Sequence, residues 1–253
     1  MAFNPVTYAP SSAGFEHPPL EAQDVHLWFV RTNEVPPASY QALYDLLDAE
    51  ERERAAAFYH DRDRITSVVT RGLLRRQLAH YDNRQPHEIQ FSMVGNGKPA
   101  LADSDIQFNV SHSGDRVLLG FSRAAEIGVD IEDPERDLDD LLDISENFFA
   151  PGERQLLRTL PATELRRGFF NCWTRKEAFI KVYGEGLSRD LNSFEVELRP
   201  DHPPRVLVVD GSPATASEFT LFAADPDPQT IAAVCLPRAP RQVQAYRWNG
   251  LLR

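Results

Sequence analysis

The chain has 253 residues, 42% of them hydrophobic and 10% aromatic, enough for a substantial core and too apolar for wholesale disorder. A formal net charge of −11 and a pI of about 5.1 argue against sequence-independent nucleic-acid binding, which runs on Lys and Arg contacts to phosphate. Two cysteines, Cys172 and Cys235, make neither a disulfide framework nor a zinc site. With no leader-like N-terminus and no apolar run near the ~18 residues of a membrane helix, the expectation is a soluble, cytoplasmic protein.

Residues 1–23, rich in Pro, Ser and Ala, read as a loose arm. VHLWFV at 25–30 reads as a first strand, ended by the turn-rich TNEVPP. Ser39 is then expected to cap one long helix running to Phe58, with Tyr40, Leu43, Tyr44 and Leu47 at helical spacing. A second helix is predicted over 63–81, with Val68, Val69, Leu73, Leu74 and Leu78 on one face and Arg64, Arg71 and Arg75 on the other. Strands follow at 89–91, 107–110, 117–121 and 127–132. Beyond Asp133-Pro134 come helices at 138–149, 153–160 and 163–183, the last stopped by Gly184-Glu185-Gly186. Strands at 194–198, 205–209, 219–222 and 231–236 complete the chain. Each half has helices and antiparallel-looking strands, which predicts an α+β fold with a boundary near 123–127, dividing 1–125 from 126–253.

Four segments carry candidate chemistry. In Gly128-Val129-Asp130-Ile131-Glu132, strand alternation puts Asp130 and Glu132 on one face and sends Val129 and Ile131 into the core. Two carboxylates a few ångströms apart repel unless a positive group joins them, and Mg²⁺ typically uses such a pair with ligand phosphates; a solvated strand end is the plain alternative. In Trp173-Thr174-Arg175-Lys176-Glu177-Ala178-Phe179-Ile180-Lys181, helical spacing puts Trp173, Glu177 and Lys181 on one face. Glu177 then serves a metal and Lys181 a phosphate, or the two form an ordinary surface pair. Phe108-Asn109-Val110-Ser111-His112-Ser113-Gly114 ends a strand in small polar residues suited to phosphate, with His112 as an added donor. Gly95-Asn96-Gly97-Lys98-Pro99 lacks the spacing of a P-loop but sets Lys98 in a turn made rigid by Pro99.

In this order, GKPAL, FNVSHSG, IGVDIE, FFAPGE, WTRKEAFIK and GEGLS resemble the 4′-phosphopantetheinyl transferases of the larger, Sfp-like class, over about residues 48–193. The resemblance implies two similar α+β halves about a pseudo-twofold axis, with coenzyme A between them. It implies Mg²⁺-dependent transfer of the phosphopantetheine arm to a serine of an apo acyl or peptidyl carrier protein, by a monomer that needs neither nucleic acid nor membrane. Asp130, Glu132 and Glu177 would bind Mg²⁺. Glu177, Lys181 and Glu153 would stand at the reacting bond. Lys98 with Pro99, Ser111 and His112 would hold the ribose-phosphate end, helped by Arg54 and by Arg64 or Arg71. In one departure, Glu51 stands where the family often has a lysine. Other readings of the acidic residues are an Mg²⁺-dependent phosphatase or nucleotidyl transferase, or a non-catalytic module binding coenzyme A or a carrier.

Overall fold

The strand DVHLWFVR is apolar on both faces, and in the computed structural model both faces are covered. The structure describes residues 6–10, 18–95, 97–138, 140–184 and 189–250. Strand β2 (Asp24–Arg31) lies inside a five-stranded sheet of order β1-β12-β2-β6-β5, made with β1 (Tyr8–Pro10), β5 (Ile106–Ser113), β6 (Arg116–Arg123) and β12 (Gln242–Arg247). Trp28 and Val30 join one core; Val25, Leu27 and Phe29, on the alternate face, join another. The first core is roofed by α3 (Asp61–Tyr81), after the shorter α1 (Pro37–Asp45) and α2 (Ala49–Ala56).

The second half repeats this order. Strand β7 (Gly128–Glu132) leads into α4 (Leu141–Phe148), α5 (Pro151–Thr159) and the long α6 (Ala162–Lys181). In the first half a small hairpin of β3 (Phe91–Val94) and β4 (Lys98–Leu101) follows the long helix. Here the hairpin is β8 (Phe194–Val196) with β9 (Val206–Val209), trailed by the short α7 (Pro213–Ala216). Then β10 (Thr220–Ala223) and β11 (Ile231–Leu236) form a hairpin, and β7 pairs antiparallel with β11, as β2 does with β6. Val129, Ile131, Val234 and Leu236 meet Val25, Leu27, Phe29 and Leu118 in a dry core between the two sheets. Each such side chain contributes roughly 1.5–3 kcal/mol by burial, which holds the halves together. The chain is thus α+β in two similar halves, as expected, with β12 returning to pair parallel with β2 in the first sheet.

Several local expectations are corrected. The helix expected from Ser39 to Phe58 is two helices, because Asp48 accepts from Glu51 N and caps a new one; Pro36 stands at the first N-cap and Ser39 lies inside α1. Strands β1, β4 and β12 escaped the sequence reading: β1 and β4 are only three and four residues long, and QVQAYR of β12 carries few apolar residues although it lies between β1 and β2. Of the proposed stop Gly184-Glu185-Gly186, only Gly184 is described, and the rest of GEGLS lies outside the described residues, as do Asn96 and much of the N-terminal arm. No helix among the described residues is long and apolar enough to cross a membrane.

One contact sets the site. A Cβ on Gly128 would lie 2.0 Å from Ala178 O and 2.8 Å from Val182 N, so only glycine lets α6 rest directly on the start of β7. That approach brings the last turn of α6 over Asp130.

Candidate functional site

Strand β5, the edge of the first sheet, runs beside β7, and its two-residue period divides FNVSHSG between two surfaces. Asn109, Ser111 and Ser113 meet β7. Asn109 Oδ1 accepts from Val129 N at 2.9 Å, Ser111 Oγ donates to Asp130 Oδ1 at 2.7 Å, and Ser113 Oγ donates to Glu132 Oε2 at 2.6 Å. Phe108, Val110 and His112 instead line a cleft of about 540 Å³ against α3.

Asp130 is the hub of the acidic side. Its Oδ1 also accepts from Lys181 Nζ at 2.6 Å, and that ammonium lies 3.1 Å from Ser111 Oγ. The other oxygen, Oδ2, is buried without a hydrogen-bond partner among the described residues. Leaving such an acceptor bare costs about 1–3 kcal/mol, more when it is charged. Burial pushes the Glu132 carboxyl up to about 7; the Ser113 hydrogen bond opposes this, Asp130 adds to it, and Arg136, 3.1 Å away, opposes it in turn. Glu177, half-buried one turn before Lys181, is also raised, by burial, with Lys181 pulling down and Asp130 pushing up. Burial and then Lys181 push the His112 imidazole below its ordinary value, against Asp63 and Asp130, which favours a neutral ring at neutral pH.

Among the described residues no three Asp, Glu, His or Cys side chains are placed as a ready site for a metal ion. The arrangement is an acid cluster short of positive charge, with one bare carboxylate oxygen. That donor set fits a hard divalent cation that takes two or three carboxylates and fills its other positions from a ligand or water.

The structure redistributes the other sequence-derived candidates. Ser111 faces Asp130 and Lys181, not the cleft that His112 lines. Lys98 is buried, and Nζ donates to Glu126 Oε2 at 2.8 Å, Ile127 O at 3.2 Å and Val182 O at 2.6 Å, so its three protons are engaged between the halves rather than offered to a phosphate. Gly184, at φ +66°, wraps this lysine: a Cβ there would lie 2.7 Å from Lys98 Cβ. Pro99 does line the cleft. Glu153 is buried, with its carboxylate engaged inside the second half. It accepts from Ala150 N at 2.9 Å and Val196 N at 2.7 Å and pairs with Lys176 at 2.8 Å, which makes it a strut. Arg54 is exposed and pairs with Glu50, and Arg64 pairs with Asp61; neither lines the cleft, whereas Arg71 does.

Sequence reasoning missed Ser113, Arg136 and Lys176. Ser113 was legible as two residues beyond Ser111 on the same strand face. Arg136, four residues past Glu132 in a loop, and Lys176, a charge in the core, carry no local signal.

Residues 34–123 match the family described as 4′-phosphopantetheinyl transferase, N-terminal, and residues 126–235 match the 4′-phosphopantetheinyl transferase superfamily. The chain is 34% identical over 221 residues to the 4′-phosphopantetheinyl transferase HetI of Nostoc sp., covering 86% of this chain and 89% of that protein. It is 31% identical over 210 residues to the 4′-phosphopantetheinyl transferase Sfp of Bacillus subtilis, covering 81% and 90%. Among solved structures, the holo-[acyl-carrier-protein] synthase of Thermotoga maritima gives a TM-score of 0.34 at 21% identity, over 44% of this chain and 61% of that one.

Proposed function

The chain belongs to the 4′-phosphopantetheinyl transferase family, and on that premise we propose that Asp130, Glu132 and Glu177 hold Mg²⁺ while coenzyme A lies between the halves. The activity is transfer of the phosphopantetheine arm from coenzyme A to a serine hydroxyl of an apo-carrier protein. The observation that carries the metal reading is the buried, partnerless Oδ2 of Asp130 inside an under-compensated acid cluster. When bound, the cation supplies charge neutralisation at the pyrophosphate.

The chain's own groups do the rest. Lys181, 2.6 Å from Asp130 and only partly buried, offers an ammonium to the phosphate that leaves. Glu177 takes the proton of the carrier serine, its raised carboxyl sitting closer to neutral pH than an ordinary glutamate and so better matched to general-base work. The serine oxygen–phosphorus bond forms as the bond to adenosine 3′,5′-bisphosphate breaks, and that product carries the displaced charge. Ser111 and Ser113 hold Asp130 and Glu132 in place, so the carboxylates are positioned before the ligand arrives. The nucleotide end lies in the cleft beside His112. The division into 1–125 and 126–253 stays part of this proposal: the first segment supplies the cleft and the serines, the second the acids and Lys181.

The test is intact-mass detection of holo-carrier from coenzyme A and apo-carrier across a Mg²⁺ titration. Product should require the metal and disappear in Asp130→Ala. Product formed by Asp130→Ala at the wild-type rate sinks the metal assignment.

A further inference from the structure

The two strand acids are held by the same scheme. Asp130 takes both of its donors on one oxygen: Ser111 Oγ and Lys181 Nζ meet at Oδ1, at 2.7 and 2.6 Å, and Oδ2 is left bare. Glu132 repeats this two residues on. Ser113 Oγ donates to Oε2 at 2.6 Å, and Arg136 Nη1 pairs with that same oxygen at 3.1 Å. No hydrogen bond or ion pair from a described residue reaches Glu132 Oε1. Each carboxylate therefore has one oxygen fixed by a hydroxyl of β5 and a cation, and one oxygen to present. A donor on every oxygen would have satisfied both acids; crowding the donors onto two oxygens leaves two acceptors open.

A hydroxyl alone fixes a carboxylate poorly, because its terminal torsion is broad and one hydrogen bond is worth only about 0.5–1.5 kcal/mol. A guanidinium on the same oxygen narrows that freedom, and Arg136 is well anchored for a loop residue. Arg166 of α6 donates to the carbonyls of Pro134, Arg136 and Leu138, which pins the loop at alternate residues. The Arg136 guanidinium lies 5.4 Å over the ring of Phe170, also on α6, and that of Arg166 lies 5.6 Å from the same ring. Helix α6 thus supplies both clamps, Lys181 directly and Arg136 through Phe170 and Arg166.

We propose that Arg136 is a positioning residue for the metal site: with Ser113 it ties down Oε2 of Glu132 so that Oε1 is presented to the cation, as Ser111 and Lys181 do for Asp130. The proposal rests on the reading that Asp130 and Glu132 bind Mg²⁺. A guanidinium beside a cation site weakens binding through like charge. Its place here is accounted for when orientation matters more than that repulsion. Mg²⁺ demands a near-ideal octahedron and so favours a fixed carboxylate, whereas Ca²⁺ accepts a looser one.

The experiment measures Mg²⁺ and Ca²⁺ binding without coenzyme A, by titration calorimetry and thermal shift, at an alkaline pH where protons do not compete for Glu132. The proteins are wild type, Arg136→Met, Arg136→Lys, Glu132→Gln and Arg136→Met/Glu132→Gln. A change of charge alone acts on both divalent ions alike and leaves their affinity ratio fixed. Arg136→Met should lower the Mg²⁺-over-Ca²⁺ ratio by roughly tenfold, the lower end of what losing a partner behind a metal ligand costs. Arg136→Lys should recover part of it. The double variant should show no loss beyond that of Glu132→Gln, since aiming a carboxylate matters only while it is there. Equal shifts for the two ions in Arg136→Met, in either direction, overturn the proposal, as does a ratio loss that persists in full when Glu132 is already glutamine. If Arg136→Met does not fold, Arg136→Gln carries the same comparison. A wild type that binds neither ion more tightly than Asp130→Ala refutes the metal reading itself, and the positioning role falls with it.

Discussion

The two halves build the same internal strut and use it differently. In each, a glutamate at the third position of a short helix accepts its own N-cap amide and crosses to a buried cation on the long helix: Glu51 to Arg75, Glu153 to Lys176. Arg75 and Lys176 each stand fourteen residues after the first residue of their helix. Each also donates to two carbonyls of the segment that follows, Pro86 and Ile89 in one case, Leu191 and Phe194 in the other. The halves diverge around the strut. One turn earlier the first half has Arg71, which faces the cleft, and the second has Cys172, fully buried. One residue later the second half has Glu177, beside Asp130, and the first has Arg76. A shared device that ties helix to sheet thus left its flanking positions open, so that one half could acquire cations and the other acids.

The sharpest break of that comparison is chemical. Asp130→Ala or Glu177→Ala should abolish transfer while the protein stays folded, since those acids do not belong to the strut; circular dichroism and intact-mass assays read both halves of the statement.

Next come the struts. Lys176→Met leaves the buried Glu153 without its cation and should cost about 3–5 kcal/mol in urea unfolding, while Arg75→Met leaves Glu51 paired with Arg71 alone and should cost somewhat less. If either variant is as stable as wild type, the symmetry is one of shape only.

A smaller effect is expected at Lys98. Because its ammonium joins Glu126, Ile127 O and Val182 O across the halves, Lys98→Met should cost about 1–3 kcal/mol and slow transfer from coenzyme A and dephospho-coenzyme A alike. A penalty confined to coenzyme A would return Lys98 to the phosphate.

The smallest is a pH effect. With its pKa raised to about 7, Glu132 binds a proton more tightly folded than unfolded. In the metal-free protein this favours the fold at acid pH and fades as pH rises through about 7. A metal must displace that proton, so the half-saturating Mg²⁺ concentration for thermal stabilisation should rise by up to about tenfold per unit as pH falls below 7. Glu132→Gln should flatten that slope, and an unchanged slope removes Glu132 from the metal.

Much was legible because it depends on period and composition. VHLWFV, the alternation in GVDIE and the i, i+4 stripe from Trp173 to Lys181 are local patterns that any strand or helix would display. The acids of the proposed metal site and Lys181 came from those patterns together with family resemblance. What failed depended on partners far away in the chain. Lys98 and Glu153 read as reactive charges because charged side chains are seldom buried; only the packing shows the carbonyls and counter-charges that consume them. Ser39 looked like a cap until Asp48 proved to start a second helix.

By itself, then, the sequence determined the kind and order of elements, the face on which Asp130 and Glu132 point, and the residue types available to the site. The tertiary structure alone decided which charges are left over. A side chain's function depends on whether its hydrogen-bonding capacity is already satisfied, and that is settled by long-range neighbours. Lys98 is saturated by Val182 O, eighty-four positions away, while Asp130 Oδ2 and Arg71 Nη1 are not satisfied by any described residue.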